Sequence, residues 1–247
     1  MFPYRVDNPR LGPAIATLVI MALNLLVWIL VEGMGTNATM PNTVCTLGLI
    51  PAALVGHLPP GTIIPLGQGI SCTLGSIPPW VTPLTSMFMH GGWFHLIGNM
   101  WFLWLFGPNV EDVMGHYRYT VFYLLAGLVA AAAQVVVDPK STLPMVGASG
   151  AISGVMGAYV VLFPRVRVHL LIFLGIFITR ITVPAYVMLG YWFLLQVLQG
   201  SVNALQAQGG GVAFAAHVGG FLIGAVFVNL FKNPALVARR EELLSSA

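Results

Sequence analysis

Ser149 and His217 sit inside two of the longest apolar stretches of the chain, in Gly147-Ala148-Ser149-Gly150 and Ala216-His217-Val218-Gly219-Gly220. Polar side chains at such depth are costly and mark function. A serine hydroxyl becomes a nucleophile when a neighbouring base takes its proton, and histidine is the usual base near neutral pH, so the pair points to acyl transfer. The tetrahedral oxyanion of that reaction needs donors, and His95, Asn99 and the Ser149 backbone N–H are suitable types. His95 and Asn99 are spaced i,i+4 and share one helix face. No Asp or Glu falls deep in a span beside these groups; Glu111 and Asp112 are assigned to an inner loop and Asp138 to an outer one. The expected site is therefore a dyad, with the imidazole oriented by packing and other hydrogen bonds.

Membrane helices must hold these groups in place. With 57% apolar and 7% charged residues among 247 and a mean hydropathy of +0.88, the chain has too little polar material for a water-soluble surface. Six stretches reach the roughly 17–25 residues that cross hydrocarbon: 11–31, 93–110, 119–137, 145–163, 181–198 and 212–231. Strand alternation is not seen, so the expected fold class is an all-α membrane protein, a six-transmembrane-helix bundle. Residues 169–179, fenced by Arg167 and Arg180, are too short to cross and are predicted as an interfacial or re-entrant segment on the cytoplasmic side. In this order Arg5, Arg10, Arg118, Arg165, Arg167, Arg180, Lys232, Arg239 and Arg240 fall on one side and Lys140 alone on the other. Both termini are thus expected in the cytoplasm. The first span is read as retained, because its apolar run is about twenty residues and no small-residue cleavage site follows.

Residues 1–235 form the expected membrane domain, with an outer loop over 32–92 that carries no Lys or Arg, and residues 236–247 a short cytoplasmic tail. The only cysteines, Cys45 and Cys72, lie in that outer loop, where oxidising chemistry is normal. They are a possible disulfide or two loop thiols, since spacing does not establish bridge geometry. No repeat, phosphate-binding glycine loop or nucleic-acid motif is present.

Spans four and six both descend from the outside. Ser149, four residues past Met145, is expected about 6 Å down its helix, and His217, five past Val212, at a matching depth. Gln134, Gln196 and Gln199 also occupy outer ends, so the polar groups of five spans converge on a cavity open to the outside. Gly150, Gly154 and Ala158 line one face of span four and Ala216, Gly220 and Gly224 one face of span six, which lets two backbones approach closely. The competing reading makes Ser149 a small packing residue and His217 an interhelical donor. Their matched depth weighs against it.

At this point the residues resemble the rhomboid intramembrane serine proteases. His90, His95 and Asn99 match the family's HxxxxHxxxN, Gly147 to Gly150 its GxSG, and Ala216 to Gly224 its AHxxGxxxG, within a resemblance running from about Pro79 to Phe231. It implies Ser149 as nucleophile, His217 as general base, and His95, Asn99 and the Ser149 amide as oxyanion donors. His90, Gly147, Gly150, Gly220 and Gly224 are supporting positions. Two positions depart from the family: Ser153 stands where many relatives carry an aromatic against the histidine, and Trp80 is followed by Val81 rather than Arg. The implied protein is a serine endopeptidase of a bacterial inner membrane, needing no metal, cofactor or nucleic acid. Its partners would be transmembrane protein substrates and the lipid bilayer. A catalytically silent protein that binds membrane helices is the alternative, and a transporter a third reading, which would need a polar path to both faces.

Overall fold

The computed structural model describes residues 2–36, 40–67, 70–75, 77–175, 177–205 and 213–245. Its order is β1 (Phe2–Val6), α1 (Ile15–Leu30), α2 (Met40–Leu47), α3 (Pro51–Leu54), β2 (Ile63–Gly67), β3 (Ile70–Thr73), α4 (Thr82–Thr85), α5 (Trp93–Met114), α6 (His116–Val137), α7 (Ser149–Leu162), β4 (Arg167–Leu174), β5 (Phe177–Pro184), α8 (Ala185–Leu205), α9 (Phe214–Phe231) and α10 (Pro234–Ser245). Among the described residues, α6, residues 185–202 of α8, and α9 are long and apolar enough to cross a membrane, while α1 and α7 are shorter apolar helices. The expected start of the last span, Val212, lies outside the described residues.

The protein is mostly helical but not all-α. Residues 169–174 and 177–179 belong to a pair of strands, β4 and β5, onto which β1 adds to give an antiparallel sheet of order β1-β4-β5. Val168 and Leu170 are buried at alternate positions, and between them the His169 ring meets Asp7 and Thr182. That period of two was hidden because the neighbouring Leu171, Ile172 and Phe173 are apolar on both faces. The strand pair also takes residues 181–184 from the fifth expected span, so α8 starts at Ala185.

Span four is corrected as well. Residues 145–148 are not helical: Met145 pairs with Leu49 in an isolated bridge, Gly147 has φ +126°, and α7 begins at Ser149. Glu111 and Asp112, expected in a loop, lie in the last turn of α5, where they bind the chain entering α1. Glu111 accepts from the Ala16 and Thr17 amides at 2.8 Å and from the Thr17 hydroxyl at 2.6 Å, supplying the partners that a helix N-terminus lacks. Asp112 accepts from the Leu11 and Gly12 amides and from Arg240 of α10. The last helix, which runs across the expected tail boundary, is thereby tied back to the body, with Arg240 also reaching Asn8 and the Pro9 carbonyl.

The outer loop has its own small core of Cys45, Ile50, Ala53, Ile64, Cys72 and Leu74. Cys45 and Cys72 form a disulfide with Cα atoms 6.1 Å apart. The main core is centred on α5, α6, α7 and α9. Glycine sets how closely these helices meet: a Cβ on Gly220 would fall 2.1 Å from the Gly150 carbonyl oxygen, one on Gly224 1.9 Å from that of Gly154, and one on Gly157 2.0 Å from that of Phe221. The α7 and α9 backbones therefore touch along three successive turns.

Candidate active site

That backbone contact carries the N-terminus of α7 to the first turn of α9, and there Ser149 Oγ lies 2.8 Å from His217 Nε2. On the other side of the ring Nδ1 lies 2.8 Å from Gln196 Oε1 of α8. An amide oxygen only accepts, so Nδ1 carries the proton and Nε2 offers its lone pair to the serine hydroxyl. Trp192, one turn before Gln196, places its ring 6.0 Å from the imidazole at 38°. Ser153 is buried, and its hydroxyl donates to the Ser149 carbonyl at 2.6 Å.

The second half of the site comes from α5 and the turn before it. The Gly91 amide donates to His95 Nδ1 at 3.2 Å, which leaves Nε2–H of a neutral His95 as a donor. Gly147 passes against this ring: a Cβ there would fall 2.7 Å from His95 Nε2 and 3.5 Å from Asn99 Nδ2. Only glycine combines that clearance with φ +126°. Asn99 is buried, and among the described residues its Nδ2 has no partner; a buried donor left open in this way calls for an acceptor. The Ser149 amide, at the first position of a helix without a side-chain cap, is one of the N–H groups that a helix leaves unpaired. His95, Asn99 and the start of α7 are thereby linked through Gly147, two residues before Ser149.

His90 takes no part in that arrangement directly. It is fully buried behind His95, ring centroids 5.2 Å apart at 66°, and burial followed by the neighbouring His95 holds it down at about 3, so it is neutral. Its backbone N–H donates to both carboxylate oxygens of Glu32, at 2.9 and 3.0 Å. Burial raises Glu32 to about 7, against the lowering effect of that hydrogen bond.

The sequence reading placed Gln196 among outer-end polar groups without linking it to His217, and did not single out Glu32. The signal for Gln196 was available: an amide one helical turn after a tryptophan, in a span whose other polar residues are few. Glu32 carried no such signal, because its partner is a backbone amide 58 residues away. Gln134, expected in the same polar group, keeps Oε1 buried without a partner among the described residues, while Gln199 is exposed.

The chain matches the Rhomboid domain over residues 79–233. It is 31% identical over 162 residues to Rhomboid-like protein 11, chloroplastic, of Arabidopsis thaliana, covering 64% of this chain and 55% of that protein. It is 27% identical over 173 residues to Rhomboid protein 1, mitochondrial, of Saccharomyces cerevisiae, covering 68% and 46%. Against Rhomboid protease GluP of Bacillus subtilis it is 35% identical over 150 residues, covering 60% and 25%. The chain thus spans between a quarter and just over half of the length of these relatives.

Proposed function

The chain belongs to the rhomboid family, and from that premise we propose that it is an intramembrane serine endopeptidase cutting single-pass membrane proteins near the outer face. The observation that carries the proposal is the 2.8 Å contact between Ser149 Oγ and His217 Nε2. In this reading Oγ attacks the scissile carbonyl carbon while its proton passes to Nε2. The oxyanion is received by His95 Nε2–H, Asn99 Nδ2–H and the Ser149 amide. The C–N bond then breaks as Nε2 returns the proton to the leaving amine, and water repeats the sequence to free Ser149. A peptide bond within a continuous helix is shielded by its own hydrogen bonds, so the substrate must present a locally unwound stretch.

The reading includes six spans with both termini cytoplasmic, supported by the basic residues gathered away from Ser149, and a multi-pass location in a bacterial inner membrane. The test is incubation of the purified protein with a generic transmembrane substrate. Cleavage by the parent and none by Ser149→Ala is expected; equal cleavage by both would refute the assignment. No cleavage by either, with a well-folded parent, would favour the silent helix-binding alternative.

A further inference from the structure

We propose that Gln196 is the positioning residue for His217, so that the working unit is Ser149–His217–Gln196, with a neutral amide in the place where serine hydrolases commonly set a carboxylate. This deepens the protease reading and rests on it. His217 serves as a base only if Nε2 is unprotonated, which requires the proton on Nδ1. Gln196 Oε1 at 2.8 Å supplies the acceptor that fixes it there, while Nε2 faces Ser149 Oγ at the same distance. Both ring nitrogens are thereby committed, and among the described residues no ion pair involves His217.

Two further observations give Gln196 this role. The residue four after the nucleophile, aromatic in many relatives, is Ser153, whose hydroxyl is already engaged with the Ser149 carbonyl. Ser153 itself offers the imidazole no ring. Helix α8 replaces both supports at once: Gln196 holds Nδ1, and Trp192, at i−4 and so on the same helix face, lies beside the ring at 6.0 Å while packing on Phe221. Near this turn Tyr191, Leu194, Val197 and Leu198 are exposed, while Phe193 packs on Phe221. The contact with His217 is thus a polar tie of α8 to the site.

An amide suits this place chemically. A carboxylate taken into apolar surroundings costs several kcal/mol of desolvation in every state of the enzyme, whereas an amide costs less and still fixes the tautomer. When Oγ attacks, its proton moves to Nε2, and Nδ1–H of the resulting imidazolium keeps donating to Oε1. The proton then leaves on the amine, and Gln196 is unchanged throughout.

The experiment compares the parent, Gln196→Met, Gln196→Glu and Ser149→Ala as full-length proteins in one detergent. It reads kcat and KM on a transmembrane substrate, the rate of fluorophosphonate labelling of Ser149, and the His217 tautomer by ¹⁵N NMR. Gln196→Met keeps the shape but not the acceptor. Leaving Nδ1–H unpaired should lower kcat and labelling about 10- to 100-fold, with KM changed less than about twofold as for a group that acts in the transition state. The NMR signature should pass from Nδ1–H toward Nε2–H. Gln196→Glu, which retains an acceptor, should restore Nδ1–H and most of the labelling rate. Parent-like kcat in Gln196→Met, or an unchanged tautomer, would overturn the proposal. So would a Gln196→Glu protein that labels as slowly as Gln196→Met. If Gln196→Met fails to fold, the parent tautomer and Gln196→Glu decide: Nε2–H in the parent overturns the proposal, and Nδ1–H in both with retained labelling supports it. A parent that neither cleaves nor labels above Ser149→Ala refutes the protease reading, while the NMR comparison still tests the Gln196–His217 tie separately.

Discussion

Replacing Glu32 by Gln should stabilise the protein at pH 8 relative to pH 5. Glu32 is fully buried and accepts the His90 amide with both oxygens. Burial raises its carboxyl from 4.5 to about 7. A folded-state value above the unfolded one means that the folded protein holds its proton more tightly. The stability this confers is complete below pH 4.5 and is lost as pH rises through about 7. At about 1.36 kcal/mol per unit the loss is at most about 3 kcal/mol. An amide oxygen at position 32 keeps the bond to His90 N–H and has no proton to lose, so Glu32→Gln should not show the loss. His90 titrates equally in both proteins and cancels from the comparison. About 2.5 kcal/mol of that loss falls between pH 5 and pH 8, and for a chain of this size each kcal/mol moves the midpoint by roughly 2–4 °C, so the gap in Tm between variant and parent should widen by about 5–10 °C over that range. Thermal unfolding in detergent, followed by tryptophan fluorescence, measures it. A gap that is the same at both pH values would refute the assignment of a buried, proton-retaining carboxyl at this turn.

Ser149→Ala and His217→Ala should each abolish cleavage, and the double variant should be no worse than either, because nucleophile and base act as one unit; single-turnover rates with fluorophosphonate labelling check this. Asn99→Ala and His95→Ala should each lower kcat by about 10²–10³, the usual effect of one lost oxyanion donor, with Tm and labelling separating a rate effect from misfolding. Gly224→Ala would put a methyl 1.9 Å from the Gly154 carbonyl, and since backbone cannot swing aside it should cost about 1–3 kcal/mol or more, read as a lower Tm together with loss of activity. Cys45→Ser with Cys72→Ser, or reduction, should cost about 3–4 kcal/mol from the 27-residue separation of the bridge, seen as a Tm drop that is absent when the parent is already reduced.

The residues of the candidate site were legible because they depend on residue type and on the periodicity of helices. The i,i+4 spacing of His95 and Asn99 and the glycines at every fourth position of α7 and α9 survive any error in helix ends. What was not legible depends on pairings between distant segments. The sheet β1-β4-β5 joins residues more than 160 apart in sequence, and its alternation is drowned by apolar residues on both faces. Glu111 and Asp112 read as loop residues because charge usually ends a span. In the fold those charges are offset by the amides of the chain entering α1, a partner with no signature in composition. The tie between Gln196 and His217 is of the same kind, since its two residues face each other only once α8 packs on α9.

The meeting of Ser149 with His217 survives a wrong intermediate about the depth of Ser149. A helix starting at Met145 would carry Ser149 a turn down, with its amide bonded to the Met145 carbonyl and lost to catalysis. Instead residues 145–147 stay out of the helix, held by the bridge from Met145 to Leu49 and by the Gly147 amide donating to the Ser86 carbonyl. The chain turns at a residue whose φ of +126° forbids a side chain. Ser149 is thereby the first residue of α7, with its amide open and its hydroxyl still facing His217. The same glycine that makes this turn brings the backbone against His95 and Asn99. One backbone position therefore sets both the depth of Ser149 and the approach of the chain to His95 and Asn99, and a helix running through it would lose both.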